Sequence, residues 1–273
     1  MNDAPVTDPG RQAGTPRAPR WFLRTPGSTA AARLFCLPYS GCGASMYRQW
    51  PPLIGGLEIC PVQLPGRENR LREPAHETYQ ELAADVIRAI EPYLDRPFGF
   101  FGHCGSALSS YEIAVQLTAR GGPVPACVFA SSQVAPQDGP YGSYLTMDDT
   151  ELAGEVRELI RQMGGFEPRD DLVRLCLRVM RADVNANAKY RMAAPVRLPC
   201  RVSAIGWRQD VNVRPTLMTG WRDCGQTVVR LLEGSHFTFL QAPDQLREVL
   251  LTDMDLAPGR RPGEATAASM TPE

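Results

Sequence analysis

The chain has 273 residues, 43% of them hydrophobic, which is enough for one large globular domain around a single core. Its 29 basic and 30 acidic residues leave a formal net charge of -1 and are spread along the chain, so no basic cluster invites nucleic acid or an anionic membrane. Eight cysteines and three histidines occur without a Cys-x-x-Cys or His-x-x-His pair, which gives a structural zinc site little to build on.

Residues 1–20 are rich in Pro, Gly and Arg with no apolar run, and are predicted to be a disordered tail, neither signal peptide nor membrane span. Residues 257–273 read the same way. The span 21–256 is then one domain, expected to be a cytoplasmic monomer without disulfides. Cys36, Cys60, Cys127 and Cys200 fall in apolar, strand-like segments and read as small packed hydrophobes.

Residues 33–38 form a predicted strand that stops at Pro38. The Gly- and Ser-rich loop from Tyr39 to Ser45 follows, with backbone N–H groups free to face a ligand. Residues 57–64 are the next strand, closed by Pro65, Gly66 and Arg67. Residues 76–94 carry Tyr79, Leu82, Ala83, Val86, Ile90 and Leu94 at helical spacing, and His76 reads as a solvated residue at the helix start. The stretch Phe98-Gly-Phe-Phe-Gly-His-Cys-Gly-Ser106 is a buried strand running into a sharp turn, with a helix over 107–120 behind it. A strand over 126–132 continues the alternation, which argues for a parallel sheet with helices on both faces.

The rhythm breaks at about 138–198, where helical patterns over 148–163 and 170–190 occur without a strand. This reads as an inserted helical cap, with a turn at Met163-Gly-Gly-Phe166. Strands over 200–205 and 227–232 and a helix over 243–251 complete the domain.

Three residues fall at or just past strand ends: Cys104, Asp210 and His236. Open α/β sheets bind ligands at that edge, and the order nucleophile, acid, histidine is that of the α/β-hydrolase triad. In this reading Cys104 attacks a carbonyl, His236 moves the proton, and Asp210 fixes the imidazole tautomer. The backbone N–H groups of Gly105 and Ser40 are the expected oxyanion hole. The plainer readings are a buried packing cysteine for Cys104 and a surface loop residue for Asp210. His103 reads as part of the turn, Cys42 as packing near the pocket, Arg67, Glu68 and Arg70 as a salt-bridged turn, and Asp183 as a residue that steadies or orients the cap.

Five segments together resemble the type II thioesterases, the stand-alone α/β-hydrolases of polyketide and nonribosomal peptide assembly lines. They are Leu34-Phe-Cys-Leu-Pro-Tyr-Ser-Gly-Cys-Gly43; Gln63-Leu-Pro-Gly-Arg-Glu-Asn-Arg-Leu71 with Glu73 and Pro74; Phe101-Gly-His-Cys-Gly-Ser106; Met180-Arg-Ala-Asp183 with Tyr190; and Gly234-Ser-His-Phe-Thr-Phe-Leu240. The resemblance implies an α/β-hydrolase fold and a substrate held as a thioester on the phosphopantetheine of a carrier protein, with no cofactor bound by the enzyme itself. It also implies a departure, because the family usually has serine where this chain has Cys104. An acyl group on Cys104 would be a thioester, nearly isoenergetic with the thioester it came from, so transfer to a second thiol or an amine is the expected outcome. Hydrolytic editing of misprimed carriers is the alternative; a silent carrier-docking module and a general esterase are weaker ones.

Overall fold

Seven strands make one sheet: β1 (Ala32–Cys36), β2 (Leu53–Ile54), β3 (Leu57–Pro61), β4 (Phe98–His103), β5 (Cys127–Ser131), β6 (Arg201–Trp207) and β7 (Gln226–Leu232). The computed structural model describes residues 21–164 and 166–256, so the predicted tails, 1–20 and 257–273, lie outside the described residues, as does Gly165 in the expected cap turn. The sheet order is β2-β3-β1-β4-β5-β6-β7, and every neighbouring pair is parallel except β2 with β3. The strands β1, β4 and β5 are buried along their whole length, as expected where helices cover both faces.

Alternation along these strands divides the core in two. Phe35, Phe100, Val128 and Val202 face one way and pack on helices α1 (Tyr79–Ile90) and α2 (Gly105–Ala119). Leu34, Phe101, Phe129 and Ile205 face the other way, in one cluster with Leu246 and Leu250 of the last helix and Leu152, Val156, Met180 and Val184 of the cap. That cap is a pair of helices, α3 (Asp149–Gly164) and α4 (Asp170–Lys189), inserted between β5 and β6; α5 (Asp244–Asp253) closes the chain. The fold is thus the α/β-hydrolase fold, with a mostly parallel central sheet and an inserted helical cap.

Two boundaries differ from the sequence reading for local reasons. Helix α1 begins at Tyr79 rather than His76, because the Thr78 side chain accepts from Glu81 N at 3.2 Å and caps the helix there. His76, read as solvated, is mostly covered, with its Nε2 2.9 Å from Asp85 Oδ2. The short antiparallel β2 and the run of 3-10 turns at Pro215–Cys224 were not anticipated; two residues and an irregular helix carry no periodic signal. Among the described residues no helix is long and apolar enough to cross a membrane.

Candidate active site

The turn between β4 and α2 is sharp and strained. Cys104 has φ 56 and ψ -132, a backbone conformation uncommon for a residue with a side chain. It is held there by its neighbours: Cys104 N donates to Ser131 O at 2.9 Å, and Ser106 Oγ accepts from His103 N and donates to His103 O, both at 2.9 Å. At Gly102 an added Cβ would lie 2.1 Å from Ser106 O, so only glycine lets α2 turn back so closely on the strand. The cysteine side chain is left partly exposed at the tip, in front of the helix N-terminus.

Asp210 and His236 meet beside it. Asp210, three residues past β6, is 3% exposed, and its Oδ2 accepts from Ser132 Oγ at 2.6 Å and lies 2.9 Å from His236 Nδ1. Its Oδ1 accepts from the amides of Asn212 at 2.8 Å and Val213 at 3.0 Å. Burial opposes the charged carboxyl, but His236, Ser132 and the Val213 amide outweigh it and hold Asp210 below its ordinary range. Burial likewise opposes the charged imidazole, yet Asp210, by hydrogen bond and charge, and the neighbouring Cys104 push the His236 pKa up to about 9. The other ring nitrogen, Nε2, has no hydrogen-bond partner among the described residues, so Cys104 acts on the ring by its nearness rather than through a formed hydrogen bond.

His103, next to Cys104, is built into the fold instead. Its ring stacks on Phe239 at 3.9 Å, its Nδ1 is 2.9 Å from Ser131 Oγ, and burial, with the neighbouring His236 charge, holds its pKa well below the usual imidazole range.

The loop after β1 completes the geometry. The amide of Gly105, first in α2, has no hydrogen-bond acceptor among the described residues, as a helix start requires, and neither has the Ser40 amide. An added Cβ on Gly105 would come within 3.2 Å of Ser40 Oγ, so the two residues lie side by side. The loop itself is tied down from the cap. Asp183 Oδ2 accepts from Gly41 N at 2.9 Å, and both its oxygens accept from Arg67, at 2.9 and 2.8 Å. Arg67 Nη1 also donates to Cys42 O at 2.9 Å.

With this geometry in view, comparisons with known proteins take on meaning. The family model of the thioesterase domain matches residues 32–253. The chain belongs to the thioesterase domain family. It is 33% identical over 243 residues to a Brevibacillus parabrevis protein named linear gramicidin dehydrogenase LgrE, across 85% of this chain and 91% of that one. The structure of RedJ, a thioesterase from the prodiginine biosynthetic pathway of Streptomyces coelicolor, is 32% identical, with a TM-score of 0.70 over 91% of this chain and all (100%) of RedJ. BorB, the type II thioesterase of the borrelidin biosynthetic cluster, is 26% identical, with a TM-score of 0.74 over 86% of this chain and 97% of BorB.

In this thioesterase the five residues singled out from the sequence, Ser40, Cys104, Gly105, Asp210 and His236, converge at one sheet edge. Cys104, Ser40 and His236 line a single cavity under the cap. Cys42 does not reach it. That cysteine is buried and lines a separate cavity of about 250 Å3 behind the loop, among Met46, Leu172 and Val179, where burial pushes its thiol pKa up. The salt-bridged turn holds for Arg70, which donates to Glu73, whereas Arg67 pairs across to the cap. Sequence reasoning missed Ser132, whose hydroxyl supports Asp210; its place just past β5, at the edge that already held the triad, was the available signal.

Proposed function

We propose that this thioesterase takes an acyl or aminoacyl group from the phosphopantetheine thiol of a carrier protein onto Cys104 and passes it to a second thiol or an amine. The observation that carries the reading is a cysteine at the tip of the strained elbow with the Asp210–His236 pair beside it. RedJ and BorB come from secondary-metabolite pathways, which supports a carrier-bound substrate in such a pathway.

In the proposed cycle the Cys104 proton passes to His236 Nε2, and the sulfur attacks the thioester carbonyl. The Gly105 and Ser40 amides receive the oxyanion. Collapse breaks the bond to the carrier sulfur, which leaves with the proton held by His236, and an acyl-S-Cys104 thioester remains. A second thiol then gives its proton to His236 and attacks that thioester, regenerating the free Cys104 thiol. One thioester replaces another, so the exchange is close to balanced, whereas a serine ester would lie downhill and hold the group.

The test is to load a carrier with a labelled acyl group and follow the label with and without a second phosphopantetheinylated carrier. Transfer to the second carrier is expected, and no activity in Cys104→Ala. Rapid release to water whatever the acceptor would replace this reading with hydrolytic editing, which the thioesterase family membership favours. Activity retained in Cys104→Ala would remove the nucleophile.

A further inference from the structure

One residue lining the cavity at Cys104 carries a buried polar atom that is unpaired among the described residues and unused by the proposed cycle. Asn187, on α4, lines that cavity with Cys104 and His236 and is 8% exposed. Its Nδ2 donates to the Tyr141 carbonyl at 3.3 Å, which fixes the carboxamide, since the flipped orientation would set oxygen against oxygen. Its Oδ1 is then buried with no partner among the described residues. Buried acceptors are nearly always paired, and an exception inside a reaction cavity points to a group supplied by the ligand.

The surroundings narrow what that group is. The space beside Cys104 is only about 20 Å3, against about 250 Å3 for the apolar cavity behind the loop. Tyr39 and Tyr144 narrow it further; their hydroxyls lie 2.9 Å apart, and burial above all keeps both protonated. Among the described residues no carboxylate lines the cavity, so nothing they supply there selects a cation over a neutral donor.

We infer that the thioesterase selects short acyl groups bearing an O–H or N–H donor on the carbon next to the thioester carbonyl, with Asn187 Oδ1 as the acceptor. The inference rests on the reading of Cys104 as the acyl acceptor. It makes Asn187 a specificity residue, with no part in moving protons.

Three phosphopantetheine thioesters of matched size test it: propionyl, lactyl and alanyl. The lactyl or the alanyl thioester, or both, should exceed propionyl in kcat/KM by roughly tenfold or more, since propionyl leaves the acceptor unpaired. Which of the two leads identifies the donor as hydroxyl or amine. Asn187→Leu should bring the ratio to near one, and Asn187→Asp should favour alanyl over lactyl. Equal rates on all three in the wild-type protein would overturn the inference without needing any variant, as would a preference that survives Asn187→Leu. Absence of turnover and of any Cys104 adduct with all three would instead overturn the underlying reading, and this inference with it.

Discussion

Asp183→Asn tests whether the cap holds in place the loop that carries the proposed oxyanion amide of Ser40. The wild-type carboxylate joins three groups, Gly41 N and both terminal nitrogens of Arg67, and Arg67 is 4% exposed. Asparagine keeps the shape and loses the charge, leaving a buried guanidinium without its anion. Breaking such a pair costs about 3–5 kcal/mol, and the 15% exposure of the Asp183 side chain puts this one near the low end. For a domain of this size about 3 kcal/mol lowers Tm by roughly 6–12 °C. The loop sits differently as well, because Gly41, at φ +81 with Met180 packed against it, is the residue after Ser40. A displaced Ser40 amide should cost about 10²–10³ in the rate of acylation. Thermal unfolding and single-turnover acylation by a carrier thioester measure the two effects separately. The double variant Arg67→Met, Asp183→Leu should recover most of the stability, because no buried charge is left alone. Its acylation should stay slow, because leucine leaves Gly41 N without an acceptor. A single variant with Tm within about 2 °C of wild type and an unchanged acylation rate would refute the argument.

The Asp210–His236 pair should make stability depend on pH. The folded pKa of His236, about 9, lies above its ordinary 6.5, so its contribution is fully present below about pH 6.5 and is lost as pH rises through 9. A rise of that size corresponds to on the order of 3 kcal/mol. The Tm advantage of wild type over Asp210→Asn should therefore shrink across that window, and a constant advantage would show that the pair is not the source. In Cys104→Ser the acyl group should be taken up far more slowly at neutral pH and end on water rather than on a second carrier; intact-mass kinetics and product analysis report both, and an unchanged transfer yield would exclude the thioester argument.

The strands, and the meeting of Cys104, Asp210 and His236 at one edge, were legible because they follow from short-range chemistry. A run such as Phe98 to Phe101 needs cover on both faces, and Gly102 next to it announces a close approach that an added Cβ, 2.1 Å from Ser106 O, would forbid. Cys104, Asp210 and His236 could be found because parallel strands put their C-terminal ends at one edge. Contacts between the cap and that edge were not legible. Asp183 was legible as a helix-stabilising or cap-orienting residue, and the second of these holds, but its partners were not, because they come from segments more than a hundred residues away in sequence. Asn187 carried no signal either: its isolation is visible only once Tyr141 is seen to occupy the amide nitrogen and nothing the oxygen. His76 misled for the same reason, since Asp85 meets it only when the helix is built.

The charge on His236 also bears on how the proposed cycle turns over. Both Cys104 and Asp210 hold its pKa up. Acylation converts the sulfur to a neutral thioester and removes the Cys104 contribution, so the imidazole becomes more acidic as the carrier thiolate departs. The proton then passes to the leaving sulfur, and a neutral base is left for the incoming nucleophile. Water and thiol both need that base, so the histidine alone does not choose between them. In the proposed cycle the choice falls to the acceptor's nucleophilicity and to the near-isoenergetic thioester on Cys104, and a pantetheine thiol, more nucleophilic than water, is favoured on both counts.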